Sequence, residues 1–241
     1  MHSLVKAPIM KFFAVFGVGI YRLPPAGTPK KAIDFSPRPG IGATPIDFNL
    51  KDNVDRQYSD RDRMEAYLSP DRLAAYDDLA RFPQSKGIDC NGKHVADVGC
   101  GSGHFLFSLS KVCRPASMTG IDFSDVAIET ARATLPEASF FAHDIYDSSR
   151  DYQFDILFCS ETLEHLLFPD KALRNLLSWV RKPGIAIISV PNGRIDQFAG
   201  HINFWSPESW QVFVTEVCKP YGADVETGVS STGVFAIIRL P

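Results

Sequence analysis

The stretch that decides the architecture is His94-Val95-Ala96-Asp97-Val98-Gly99-Cys100-Gly101-Ser102-Gly103-His104. It opens as a short, mostly apolar run that ends on an acid, the pattern of a buried strand at its carboxyl end. Three glycines at alternate positions then let the backbone turn sharply and come close to a ligand. A helix begins near His104, and the free amides of such a helix start favour a carboxylate or phosphate. Working outward, short apolar runs at 118–122, 140–143, 154–160 and 185–190 alternate with helical patterns, and two last strands fall near 223–227 and 234–240. Strands separated by about 10–15 residues of helix imply βαβ units and a mainly parallel sheet covered on both faces. The fold class is therefore α/β, and ligands on such sheets bind outside the carboxyl ends of the strands.

Upstream of the sheet, Met64, Tyr67, Leu68, Leu73, Tyr76, Leu79 and Phe82 recur at helical intervals, and Ser69-Pro70 has the form of an N-cap followed by a first-turn proline. One or two helices are expected there. Residues 23–53 are dense in proline and glycine and read as an extended linker wrapping the surface. Residues 9–21 are apolar, but Lys11 interrupts them and they fall short of the roughly 20 residues that span a bilayer. They read as an element packed on the main domain, or as a monotopic segment resting on a membrane or a partner, with Phe12, Phe13 and Phe16 on one face. Leu23-Pro24-Pro25 stands where a secretory signal would place small residues for cleavage, which argues against secretion. The chain thus divides into an N-terminal apolar segment and Pro/Gly-rich extension, residues 1–58, and a catalytic domain, residues 59–241, whose residues 59–90 supply lid or cap helices.

Its 241 residues have room for one large α/β domain with a decorated N-terminus. At 45% hydrophobic and 22% charged residues it has the composition of an ordinary globular protein. A formal net charge of -3 leaves no basic footprint for phosphate neutralisation, so nucleic acid is disfavoured as a partner. Cys90, Cys100, Cys113, Cys159 and Cys218 lack metal-ligand spacing and read as reduced thiols. A cytoplasmic location is expected, with peripheral membrane contact through residues 9–21 as the alternative.

A glycine-rich turn alone also fits a dinucleotide fold. That fingerprint is G-x-G-x-x-G, whereas here the third glycine falls one place early and Asp97 stands two residues before the first. Both departures favour S-adenosylmethionine. The second strand ends in Gly120-Ile121-Asp122-Phe123-Ser124, which puts a carboxylate beside the glycine turn, able to accept both hydroxyls of a ribose. The third ends in Ala142-His143-Asp144-Ile145, where a carboxylate can accept from an adenine amino group while Phe123 and Ile145 enclose the ring. Taken in order, the runs 95–103, 120–124, 142–146, 154–166 and 182–192 resemble the successive motifs of class I S-adenosylmethionine-dependent methyltransferases. The resemblance covers about residues 90–241. It implies a Rossmann-like seven-stranded sheet with the last strand antiparallel. It also implies Asp97, Gly99, Gly101 and Gly103 near the methionine moiety, Asp122 on the ribose, Asp144 and Ile145 around adenine, and Ser160 among the cofactor contacts.

The fourth strand empties into Ser160-Glu161-Thr162-Leu163-Glu164-His165-Leu166, read as the start of a helix facing the cofactor. Glu161, Glu164 and His165 are spaced i, i+3 and i+4, so a helix places all three on one side. Two carboxylates and an imidazole suit Mg2+, Mn2+ or Zn2+, with His201, after the fifth strand, as a fourth ligand. The spacing resembles ubiquinone-pathway O-methyltransferases and small-RNA 2'-O-methyltransferases, in which those residues gather around a metal. Such an ion lowers the pKa of an acceptor hydroxyl. Without one, His165 or His201 serves as general base, and Glu164, His165 and His201 are the catalytic candidates. The expected activity is O-methylation of a hydroxyl on a small molecule, sugar or lipid-linked glycan. RNA 2'-O-methylation and a catalytically silent cofactor-binding scaffold are the alternatives. Phe204, Trp205 and Trp210 read either as cover for the sheet edge or as a wall on which an acceptor ring stacks.

Overall fold

The structure is a computed structural model, and it describes residues 49–231 and 233–241. Residues 9–21 and the Pro/Gly-rich residues 23–48 lie outside the described residues. Three helices come first: α1 (Lys51–Ser59), α2 (Arg61–Tyr67) and α3 (Pro70–Ser85). Then follow β1 (His94–Val98), α4 (His104–Val112), β2 (Ser117–Asp122), α5 (Asp125–Thr134), β3 (Ser139–Ala142), β4 (Phe154–Ser160), α6 (Pro169–Ser178), β5 (Val180–Val190), α7 (Pro207–Cys218), β6 (Asp224–Val229) and β7 (Val234–Leu240). The strands form one seven-stranded sheet in the order β3-β2-β1-β4-β5-β7-β6. The pairs from β3 to β5 are parallel, and β7 runs antiparallel to both β5 and β6.

Alternation along the strands builds a core on each face. Ala96, Leu157, Cys159, Ala186 and Ile188 point to one side, where Leu173 and Leu176 of α6 and Trp210 and Val214 of α7 cover them. Val95, Ile156, Phe158 and Ile187 point to the other, under Phe105, Leu106 and Leu109 of α4 and Ile128 and Ala131 of α5. Each large side chain buried in this way contributes about 1.5–3 kcal/mol. Gly120 is needed in the second layer. A Cβ there would meet the Phe140 ring at 2.3 Å and Cys100 Sγ at 2.9 Å.

The helix cap expected at Ser69 forms, since Ser69 Oγ accepts from Arg72 N–H, and Ser206 Oγ caps α7 in the same way by accepting from Ser209 N–H. Two elements depart from the expectation. Helix α1 forms where a linker and extension were read, and none of its residues is buried. Polar contacts hold it: Lys51 pairs with Asp125 at 2.9 Å, and Asp55 accepts from Ser124 Oγ at 2.5 Å. The helix expected after β4 does not form either. Glu161 adopts a left-handed φ of 52°, and only the single 3-10 turn Leu163–His165 follows. Glu161 N–H donates instead to Ser189 O at the end of β5, so the chain turns to continue the sheet before it coils. Among the described residues no helix is long and apolar enough to cross a membrane.

Candidate active site

The site lies at the carboxyl ends of β1, β2 and β4, where the parallel sheet leaves its strand-end groups open. Gly99, Gly101 and Gly103 carry φ values of 78°, 49° and 79°, a run that only glycine adopts without strain. Asp122, at the end of β2, accepts from Gly101 N–H at 2.9 Å through one oxygen and from Ser124 N–H at 2.9 Å through the other. It braces both turns, and each oxygen keeps a lone pair for a further donor. Asp97 is 4% exposed. Burial, with the Asp122 charge adding to it, pushes its carboxyl up to about 8. Burial also raises Asp122, against the pull of the amides it accepts from.

The adenine-side candidates are placed unevenly. Ile145 is buried and Phe123 half-buried, whereas Asp144 is exposed and accepts from Tyr146 N–H at 2.8 Å. Ser160 ends β4 with its hydroxyl buried and without a hydrogen-bond partner among the described residues. Next to it, Thr162 packs so tightly on the glycine turn that a Cβ at Gly99 would lie 2.2 Å from Thr162 Oγ1.

The N-terminal helices bring residues to this end that the sequence did not mark. The Tyr58 hydroxyl of α1 sits over the turn, 2.5 Å from where a Cβ on Gly101 would stand. Arg72 of α3 donates to the Tyr67 hydroxyl at 2.5 Å and stacks over the Tyr67 ring at 4.5 Å. Its Nε is buried without an acceptor, and it makes no ion pair among the described residues. In sequence Tyr58 and Arg72 are ordinary members of polar helices, and no spacing distinguishes them from surface residues.

Beyond β4 and β5, a ligand atom from each of Glu164, His165 and His201 lies within 4.8 Å of the others. His201 Nε2 is 3.8 Å and His165 Nε2 3.9 Å from Glu164 Oε1. Glu164 is 1% exposed, and both of its oxygens lack a hydrogen-bond partner among the described residues. His165 Nδ1 faces the Gly200 carbonyl at 3.2 Å. A carbonyl only accepts, so Nδ1 carries the proton and the Nε2 lone pair faces Glu164. His201 Nδ1 lies 2.5 Å from Asp196 Oδ2, a residue the sequence did not mark.

Helical spacing does not make this cluster. The loop after β5 is fastened to the Leu163–His165 turn by Ile202 N–H and Asn203 N–H, which donate to Glu164 O, and by Asn203 Nδ2, which donates to Leu166 O. Glu161 stays outside the triad of ligand atoms. Burial pushes its carboxyl up to about 7 against the pull of Arg72. Burial, then the Glu161 charge, raises Glu164 well above the carboxylate range. Burial, reinforced by His201, lowers His165 to about 4 and leaves it neutral at pH 7.

The other histidines near the cofactor turns serve packing. His143 packs between Tyr152 and Trp179, and His104 stacks on Tyr76 while its Nδ1 meets Ser102 Oγ at 3.0 Å. The aromatic segment splits. Trp210 is wholly buried with Trp205 against it, and Phe204 is 51% exposed beside His201.

Comparison with known proteins agrees with this geometry. Residues 89–220 match the family described as methyltransferase domain. A ubiquinone biosynthesis O-methyltransferase of Coxiella burnetii (strain Dugway 5J108-111) is 34% identical over 110 residues, 44% of this chain and 46% of that protein. A trans-aconitate 2-methyltransferase of Escherichia coli O139:H28 (strain E24377A / ETEC) is 30% identical over 118 residues, 49% of this chain and 45% of that protein. The matches thus span less than half the length of these relatives. Among solved structures, the N-methyltransferase NodS from Bradyrhizobium japonicum WM9, in complex with S-adenosylhomocysteine, superposes with a TM-score of 0.60 at 20% identity, covering 80% of this chain and 99% of that one. The glycine turn, the strand order and the matched family together establish that this chain belongs to the class I S-adenosylmethionine-dependent methyltransferases.

Proposed function

We propose that the protein methylates a hydroxyl of a small molecule and that Glu164, His165 and His201 hold a divalent cation which binds that hydroxyl. The observation that carries this reading is the buried Glu164, unpartnered at both oxygens among the described residues, whose Oε1 faces both imidazole Nε2 atoms across less than 4 Å. A buried carboxylate without partners is costly, and a shared cation removes that cost. Two imidazoles and one carboxylate suit Mn2+ or Zn2+ better than Mg2+, which prefers all-oxygen surroundings. S-adenosylmethionine supplies an electrophilic methyl group on a sulfonium, and the cation supplies the charge that acidifies the hydroxyl.

The chain's own residues do the rest. Asp97, protonated while buried, would pair with the methionine ammonium by releasing its proton to solvent, and Arg72 would take the methionine carboxylate with donors that make no ion pair among the described residues. Asp122 accepts from the ribose with its spare lone pairs. Phe123 and Ile145 wall the adenine, and Asp144, exposed at the rim, accepts from its amino group. Glu161, poised near neutrality, receives the hydroxyl proton. Exposed Leu167, Phe168, Ile195 and Phe204 sit on the two loops that carry the triad, which favours an acceptor with an apolar body.

Titrating Mn2+ into protein saturated with S-adenosylhomocysteine tests the proposal. Binding heat in the wild type that Glu164→Gln abolishes, with the cofactor affinity unchanged, is the expected result. Absence of heat in the wild type overturns the metal, and activity that survives in Glu164→Gln overturns its role.

A further inference from the structure

We propose that Asp196 is a positioning residue that holds His201 as the Nδ1–H tautomer, so that its Nε2 lone pair is presented to Glu164 and to whatever the site binds there. Three observations carry this. First, the two sides of the His201 ring have unequal surroundings: Nδ1 lies 2.5 Å from Asp196 Oδ2, while Nε2 faces Glu164 Oε1 at 3.8 Å, beyond hydrogen-bond distance. Second, Asp196 is itself fixed. Its other oxygen accepts from Phe198 N–H at 3.1 Å, its own N–H donates to Asn192 O at 3.0 Å, and its side chain is 10% exposed. Third, the ring has little freedom to turn, because Phe198 and His165 flank it with centroids at 4.8 Å and 4.7 Å.

His165 has the same arrangement with a backbone acceptor, the Gly200 carbonyl. The two imidazoles therefore meet Glu164 in one chemical form, each with its proton on the far side. A hydrogen-bond acceptor behind a histidine also makes the facing nitrogen more basic and orients it, which is the usual support of a ligating imidazole. The sequence separates Asp196 from His201 by five residues in a loop, so only the fold shows that it stands behind the ring and not beside the ligand atoms.

The discriminating variant is Asp196→Asn. An asparagine keeps the shape and keeps an oxygen for Phe198 N–H, but it turns an amide N–H toward His201 Nδ1. The ring must then move its proton to Nε2, which blocks the nitrogen that faces Glu164. Nitrogen-15 long-range correlation spectra of the apo protein at about pH 8, above the ordinary imidazole range, read the tautomer directly. The expected result is a protonated Nδ1 on His201 in the wild type and a protonated Nε2 in Asp196→Asn. Where the metal reading above also holds, on which this second readout rests, Mn2+ affinity in protein saturated with S-adenosylhomocysteine falls about 10–100-fold in that variant. Asp196→Glu restores part of it, and S-adenosylhomocysteine affinity is unchanged in both. A purely structural role predicts the reverse, since the isosteric asparagine would be the mildest change. A wild-type His201 protonated on Nε2 overturns the proposal even if the variant fails to fold, and so does an unchanged tautomer in Asp196→Asn. A correct tautomer with no Mn2+ binding overturns the metal alone and leaves Asp196 in its role.

Discussion

Asp97→Asn is expected to make the cofactor-free protein more stable and its cofactor site weaker. In the folded chain the Asp97 carboxyl keeps its proton up to about 8, because burial and the nearby Asp122 disfavour its charge. In the unfolded chain it ionises near 3.9. Between those values the unfolded state binds fewer protons than the native state, so the Asp97 contribution to stability is fully present below about pH 4. It is lost as the pH rises toward 8 at about 1.4 kcal/mol per pH unit. The stability difference between wild type and Asp97→Asn should therefore change by about 2.7 kcal/mol between pH 5 and pH 7, with the variant gaining. Urea unfolding of the two proteins at both pH values measures it, and comparing the two removes the background of the other acids. S-adenosylhomocysteine titration should show a weaker complex in the variant, since asparagine gives the methionine ammonium no counter-charge. A stability difference that is the same at pH 5 and pH 7 would refute the reasoning, because it would mean that Asp97 is already ionised in the folded protein.

Two further outcomes follow from the way α1 closes over the site. Asp55→Ala removes the contact to Ser124 and loosens a helix with no buried residue. S-adenosylhomocysteine should leave roughly ten times faster, as loss of about 1.5 kcal/mol from a charge-assisted hydrogen bond implies, and hydrogen exchange should quicken in α1 while β1 and β4 stay protected. Gly101→Ala carries a left-handed penalty of about 1–2 kcal/mol and sets a methyl against the Tyr58 hydroxyl. Thermal unfolding should show the contact part of that loss relieved when Tyr58→Phe is added, and strict additivity of the two changes would sink the contact.

The order of elements, the glycine turn and the acids at the ends of β1 and β2 were legible in the sequence. Each depends on local pattern: β4 and β7 run from 154 to 160 and from 234 to 240, where the short apolar runs fall, and Ser69 caps its helix through a neighbour three residues on. Helix α1 was not legible because its apolar content is low and its stability comes from Asp125 and Ser124, some 70 residues away. Helical spacing grouped Glu161, Glu164 and His165 with His201 as a fourth, whereas the cluster that forms is Glu164, His165 and His201, through a 3-10 turn tied to a distant loop by its backbone. Glu161 shows why. Its φ of 52° is set by the pull of Ser189 on its N–H, a sheet contact that no local propensity contains. The chain by itself therefore determined which chemistries were present and on which strands. The tertiary structure alone decided which of them meet, because groups such as Arg72 and Asp196 owe their burial and their neighbours to the fold and to no local pattern.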